Sequence, residues 1–223
     1  MARCWILVVE DTLTLRKFFM VINSIPNPQS EFPNHTLFPV ILPVPAEVHD
    51  YKPRDRVIYL SRHARRALKI SAAESGVQIG ELVKDDTGAP RPCGGIHWSI
   101  SHKTRYVCGV AAPWPIGVDV ERVRHFSEGL FQKTATEREW ALADLESDSI
   151  RAFFRFWTAK EAVLKATGVG IKDLLQCRVD RIDDDTHLEI RYAGRNWLIE
   201  HFFFDDHVAA IVKRSFQIEW LVK

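Results

Sequence analysis

The chain has 223 residues, 46 % hydrophobic and 26 % charged, which is enough for one large globular domain or two small ones sharing an interface. A formal net charge of +1 provides no general cationic surface for nucleic acid or a membrane, so any anion site must be local. Cys4, Cys93, Cys108 and Cys177 lack CxxC spacing and read as free thiols of a reducing cytosol. The apolar run from Cys4 to Val9 is broken by Glu10 and Asp11, too soon for a signal-peptide core or a bilayer span. The expectation is a cytoplasmic protein.

Residues 1–36 read as an N-terminal extension of uncertain structure. Six of the eleven prolines lie between Pro26 and Pro45, which favours extended or irregular backbone. Leu37 to Leu42 fits an edge strand, because Pro39 is tolerated there. Ser61 is a candidate cap for a helix through Arg62, Ala64, Arg65, Ala67 and Leu68. Asp85-Asp86-Thr87-Gly88-Ala89-Pro90 has the chemistry of a turn. Strands are expected at Ile96–Ile100, Tyr106–Ala111 and Ile116–Val120, then helices at Glu137–Leu145 and Asp148–Thr167. Further strands follow at Gln176–Ile182, His187–Arg191, Trp197–Phe203, Val208–Lys213 and Gln217–Val222.

This order implies an α+β fold of two similar lobes, 37–115 and 116–223. Each is a long helix on a small, mainly antiparallel sheet, with a pseudo-twofold relation and a cleft between them. A monomer is expected if the two halves form the cleft themselves.

The chemistry-bearing residues cluster in two stretches. Asp119 and Glu121 stand two apart on a strand and share one face, with Val118 and Val120 pointing to the core. Taken alone, such a pair is usually a solvated acidic face. About 40 residues later, Glu161 and Lys165 lie one helical turn apart, just beyond Phe156 and Trp157, whose bulk demands burial. That places Glu161 and Lys165 on a cleft, whereas Lys160, about 100° round the helix, reads as an outer contact.

Three carboxylates meeting in a partly dry cleft repel strongly. Two unit charges about 4 Å apart cost roughly 4 kcal/mol at an effective dielectric near 20. A cation removes that repulsion, and oxygen-only ligands favour magnesium or calcium. Ser101-His102-Lys103 between two strands reads as a tight turn with N–H groups for a phosphate oxygen, although His102 is as readily a plain turn residue. Arg54, Arg56, Arg62, Arg65 and Arg66 form the one basic cluster, either a solvated helix face or a seat for a remote phosphate.

With these residues in place, the chain resembles the 4′-phosphopantetheinyl transferase superfamily, in its longer, single-chain, surfactin-synthetase-activating type. Three segments carry the likeness: Trp98-Ser99-Ile100-Ser101-His102; Ile116-Gly117-Val118-Asp119-Val120-Glu121; and Phe156 through Lys160-Glu161-Ala162 to Lys165 and Gly168.

The resemblance implies magnesium-dependent transfer of the 4′-phosphopantetheine arm of coenzyme A to a serine of an acyl- or peptidyl-carrier protein, releasing adenosine 3′,5′-bisphosphate. It implies that Asp119, Glu121 and Glu161 hold Mg²⁺ and that Lys165 contacts the phosphates. Ser101, His102, Arg62 and Lys160 would bind the coenzyme, and Glu161 would take the proton of the carrier serine. Where the family often has Gly-Lys-Pro, this chain has Gly88-Ala89-Pro90, with Arg91 as the candidate substitute. Two rival readings are another magnesium-dependent phosphoesterase and a catalytically degenerate coenzyme A binding module. The stretch Arg124 to Lys133, with Phe126, Leu130 and Phe131, is the expected carrier-protein contact, with ordinary loop packing as the alternative.

Overall fold

The computed structural model describes residues 36–125, 128–143 and 149–223. Residues 1–35, with Cys4, lie outside the described residues, as do Phe126, Leu145 and Asp148. The fold is mixed α+β, with helices packed on sheets that are mainly antiparallel.

In the first sheet, β2 (Val40–Pro43) pairs antiparallel with β4 (Tyr106–Ala112), which in turn pairs with β3 (His97–His102). The expected edge strand is therefore interior, since β2 also pairs with β11 (Leu221–Val222) on its other side. Proline does not obstruct this. Pro39 precedes the strand and Pro43 ends it, so Val40, Ile41 and Leu42 keep their donors. Helix α1 (Pro53–Glu74) opens on proline, whose fixed φ suits the first helical position, and Ser61 lies well inside it rather than capping it. Its stripe of Leu60, Ala64, Ala67, Leu68, Ser71 and Ala72 is buried on this sheet. A Cβ at Gly109 would stand 2.7 Å from Leu68 Cα, so glycine lets helix and strand approach.

The second sheet runs β5 (Val118–Arg122), β9 (His207–Lys213), β8 (Arg195–Phe204), β7 (His187–Tyr192), β6 (Arg178–Ile182), antiparallel throughout. Helix α4 (Ser149–Thr167) lies on β5 and β9. The short helices α2 (Glu128–Thr134) and α3 (Glu137–Ala143) precede it, and α2 is too short to leave a periodic signal in the sequence.

The expectation that Gln217–Val222 closes the second half is corrected. β10 (Gln217–Ile218) pairs parallel with β1 (Thr36–Leu37), and β11 pairs parallel with β2, so the chain's end returns to the first half. One core runs through both halves, from Leu37, Ile41 and Trp98 to Val118, Ala159 and Ile211. No helix among the described residues is long and apolar enough to cross a membrane.

The two sheets meet edge to edge without a ladder. Val118 N–H donates to Ser99 Oγ (3.1 Å) and Val120 N–H to Ser101 Oγ (3.3 Å). Alternate side chains of β3 share one face, so two serine hydroxyls satisfy the strand edge that β5 presents. The candidate site opens at this seam.

Candidate active site

Trp157, Glu161 and Lys165 are spaced i, i+4, i+8 on α4 and share a face. That face meets β5 and the end of β3 in a cleft lined by Ser101, His102, Asp119, Glu121, Glu161 and Lys165 among others. Three carboxylates thus come from a strand and a helix distant in sequence to one cleft.

Asp119 is not on a solvated face: it is 3 % exposed at the seam. Its Oδ1 accepts from Ser101 Oγ at 2.8 Å and from Lys165 Nζ at 2.7 Å. Its Oδ2 is buried and has no hydrogen-bond partner among the described residues. Glu121 Oε1 accepts from Lys103 Nζ at 2.6 Å and from Trp157 Nε1 at 3.1 Å. Burial, and then the Asp119 charge, push the pKa of both Glu121 and Glu161 above the ordinary carboxylate range. At Lys103 burial works against the charge, but the Glu121 carboxylate outweighs it and the pKa rises. His102 is driven down by burial, then by the charges of Lys165 and Lys103, and is a neutral imidazole at pH 7.

Among the described residues, no three His, Cys, Asp or Glu side chains are drawn together as a ready group of metal ligands. Asp119 and Glu121 are each held by an ammonium instead, Lys165 and Lys103 respectively. The donor set nonetheless suits a hard divalent cation. It consists of carboxylate oxygens only, one of them a buried oxygen without a partner, and its two glutamates carry raised pKa values.

The other sequence candidates are sorted by the geometry. Ser101 lies at the cleft wall, but its hydroxyl is committed to Asp119, so it orients a carboxylate. Arg62 is exposed on α1, outside the cleft lining, while the adjacent Ser61 lines it. Arg91 is outside the lining too. The cation that does reach it from that hairpin is Lys84, paired across the turn with Pro90, its pKa lowered by burial and then by Arg65 and Lys165. The turn itself forms as expected, with Asp85 Oδ1 accepting from Thr87 N and Ala89 N, both at 2.9 Å.

Lys160 is corrected outright. It is 0 % exposed, with Nζ 2.6 Å from Glu139 Oε1 and 2.8 Å from Thr134 O. Such a side chain makes no contact with a ligand in the cleft. The signal was in the sequence: Phe156, Lys160 and Val163 are spaced i, i+4, i+7, and all three are fully buried. Glu139 also accepts from Val179 N (2.8 Å) and Thr136 N (2.8 Å), so the Lys160 pair ties α4 to α3 and β6. Sequence reasoning missed two further site residues, Lys103 and the Trp157 indole N–H. A Lys directly after Ser-His was the available clue for the first.

Residues 115–212 match the family model of the 4′-phosphopantetheinyl transferase superfamily, and Asp119, Glu121, Glu161 and Lys165 all fall within that match. The chain is 30 % identical over 90 residues to the 4′-phosphopantetheinyl transferase gsp of Aneurinibacillus migulanus, covering 40 % of this chain and 38 % of that one. It is 30 % identical over 155 residues to the 4′-phosphopantetheinyl transferase HetI of Nostoc sp., covering 63 % and 64 %. Against the 4′-phosphopantetheinyl transferase Sfp of Bacillus subtilis the figures are 27 % over 96 residues, 42 % and 43 %. The chain thus spans about half the length of the curated relatives it matches.

Proposed function

We propose, from the likeness of residues 115–212 to the 4′-phosphopantetheinyl transferase superfamily, that the chain is a member of it and moves the 4′-phosphopantetheine arm of coenzyme A to a serine of an acyl- or peptidyl-carrier protein. The observation that carries this reading is the convergence of Asp119, Glu121 and Glu161 on one cleft, with a buried Asp119 oxygen left without a partner. The two-lobed division into residues 37–115 and 116–223, in a pseudo-twofold arrangement, is part of the same proposal.

Asp119, Glu121 and Glu161 would hold Mg²⁺. The ion supplies charge neutralisation on the pyrophosphate, which a loose phosphoryl transition state needs more than covalent help. Lys165, bonded to Asp119 Oδ1 with its side chain 27 % exposed at the cleft, would present its ammonium to the phosphates. Neutral His102 donates one N–H to a phosphate oxygen, joined by Lys84 across the cleft. The carrier serine oxygen bonds to the phosphorus that bears pantetheine. The pyrophosphate P–O bond on the nucleotide side breaks, and adenosine 3′,5′-bisphosphate leaves with the electron pair. Glu161, on the cleft wall with Asp119 and Glu121, takes the serine proton, directly or through one water. No nucleophile of this chain is required, which agrees with buried, inert thiols at Cys108 and Cys177.

Intact-mass analysis of an apo carrier protein incubated with coenzyme A, Mg²⁺ and this protein tests the proposal. Addition of one phosphopantetheine to the carrier is expected. Consumption of coenzyme A with an unmodified carrier would instead identify a hydrolase, and neither change would leave a binding module.

A further inference from the structure

A second pocket, of about 520 Å³, lies at the β6 end of the second sheet and shares no lining residue with the carboxylate cleft. Arg138 of α3, Arg178 and Val179 of β6, and Arg191 and Tyr192 of β7 stand in its wall. Arg178 and Arg191 are register partners across the β6–β7 pair, so two like charges lie directly opposite on one face. Farther along the same two strands the charges are complementary. Arg181 faces Glu189 and pairs with it at 3.4 Å, and Asp183 holds it as well.

Arg138, Arg178 and Arg191 have no hydrogen-bond or ion-pair partner among the described residues. The carboxylates of the pocket do not provide one. Glu139 gives Oε1 to Lys160 and to Val179 N–H, and Oε2 to Thr136. That leaves Asp180 against three guanidiniums, a local excess of +2 in a chain whose net charge is +1. An edge strand such as β6 often carries a cation that resists pairing with another chain, yet that purpose sets no second cation opposite the first.

We propose that this pocket binds a small anion carrying two or more linked phosphate groups, seated between Arg178 and Arg191 with Arg138 on the third side. It does so independently of the transferase reading above. Planar guanidinium forks take phosphate oxygens two at a time, and three forks around one volume match a chain of phosphates better than a single one. The volume is that of a small-molecule site, not of one phosphate's seat, and Val179 and Ala193 give the wall an apolar stretch for the rest of such a molecule. Behind the wall, burial lowers the pKa of Lys160, and the Arg178 charge adds to this. An anion on Arg178 therefore also favours the buried Lys160–Glu139 pair.

The test is calorimetric titration of the full chain with inorganic tripolyphosphate at low salt and without divalent metal, on the wild type, Arg178→Gln, Arg191→Gln and Arg178→Lys. Any binding in the carboxylate cleft is common to all four proteins, so their difference reports the pocket. The Kd is expected to rise about tenfold or more in each Gln variant. It should rise less in Arg178→Lys, which keeps the charge and loses the fork. Without anion both Gln variants should be at least as stable as the wild type, since each relieves the opposed pair. Tripolyphosphate should raise the wild-type Tm more than theirs. Equal affinity in the wild type and both Gln variants overturns the site, as does a wild type that binds no tripolyphosphate at millimolar concentration. Gln variants that lose stability without anion make the arginines structural and overturn it too. Inorganic phosphate bound as tightly as tripolyphosphate, in the same Arg178-dependent way, overturns the assignment to linked phosphates.

Discussion

Lys165 Nζ lies 2.7 Å from Asp119 Oδ1 and also donates to Val118 O at 3.1 Å, joining the last turn of α4 to the strand that opens the second sheet. The ammonium occupies the place beside Asp119 that a divalent ion would claim. The same side chain neutralises the carboxylate, and in the proposed reaction it would turn to phosphate once a metal took its place. Lys103 stands to Glu121 in the same relation. Such an exchange of one cation for another is the centre of the proposed mechanism, and it makes Asp119 the first residue to test.

Asp119→Asn keeps an oxygen for the Ser101 hydroxyl and removes the charge. Carrier pantetheinylation is expected to fall by a factor of about 10²–10³, the usual scale for losing one electrostatic contributor to a transition state. Circular dichroism and the unfolding midpoint should stay near wild type, because Lys165 reaches solvent. Asp119→Ala should abolish transfer while keeping the fold; full activity in either variant would remove the metal assignment.

Glu161→Gln separates stability from activity. Burial and Asp119 raise the folded pKa of Glu161 and Glu121 above the ordinary 4.5. The folded protein therefore binds protons here more tightly than the unfolded chain. The stability these groups contribute is present in acid and is lost as pH rises through their raised values. Without metal at pH 7.5, Glu161→Gln is expected to be more stable than the wild type, by about 0.5–2 kcal/mol. The difference should shrink toward pH 4, where Glu161 is protonated in both states. Added Mg²⁺ should raise the wild-type Tm at pH 7.5, with a smaller effect near pH 5 and on the variant. Urea and thermal unfolding at the three pH values read all of this.

Lys160→Met tests the corrected role of that lysine. Removing one partner of a buried ion pair leaves Glu139 charged in the interior and is expected to destabilise by about 3–5 kcal/mol. Adding Glu139→Gln should restore part of the loss, because the amide oxygen still serves Val179 N–H. A folded double variant with unchanged coenzyme A KM supports the structural role; a raised KM would return Lys160 to the coenzyme.

Gly117→Ala should be among the most damaging single-atom changes in the chain. The added Cβ would run into Ala162 O and sit 2.8 Å from Ala162 C and Ala166 N, all backbone atoms that cannot swing aside. A loss of about 3 kcal/mol or more is expected in denaturant unfolding, at the upper end for overpacking. Normal stability would mean that α4 and β5 are not held this closely.

Much of this was readable from residue order. Strand and helix periods marked β3 to β9 and α4 closely, because alternation and the 3.6 repeat report burial directly. The spacing of Asp119 and Glu121, with Glu161 a helical turn before Lys165, was enough to bring them to one cleft. What escaped depends on contacts between distant segments. Leu37 to Leu42 reads as an edge because Pro39 falls inside the run, and only the pairing with Leu221 and Val222 makes β2 interior. Ser61 resembles a cap, yet Pro53 starts the helix eight residues earlier. Asp119 reads as solvated until Ser101 and Lys165 arrive from other elements. Lys160 was misplaced by treating a charge as a sign of the surface, against the period of its own helix.

Binding of Mn²⁺, followed by loss of the free-ion signal in electron paramagnetic resonance with coenzyme A present, tests the central claim most directly. The wild type is expected to take up one ion per chain and Asp119→Asn essentially none. Equal uptake by the two proteins would contradict a divalent-ion site built on Asp119, Glu121 and Glu161.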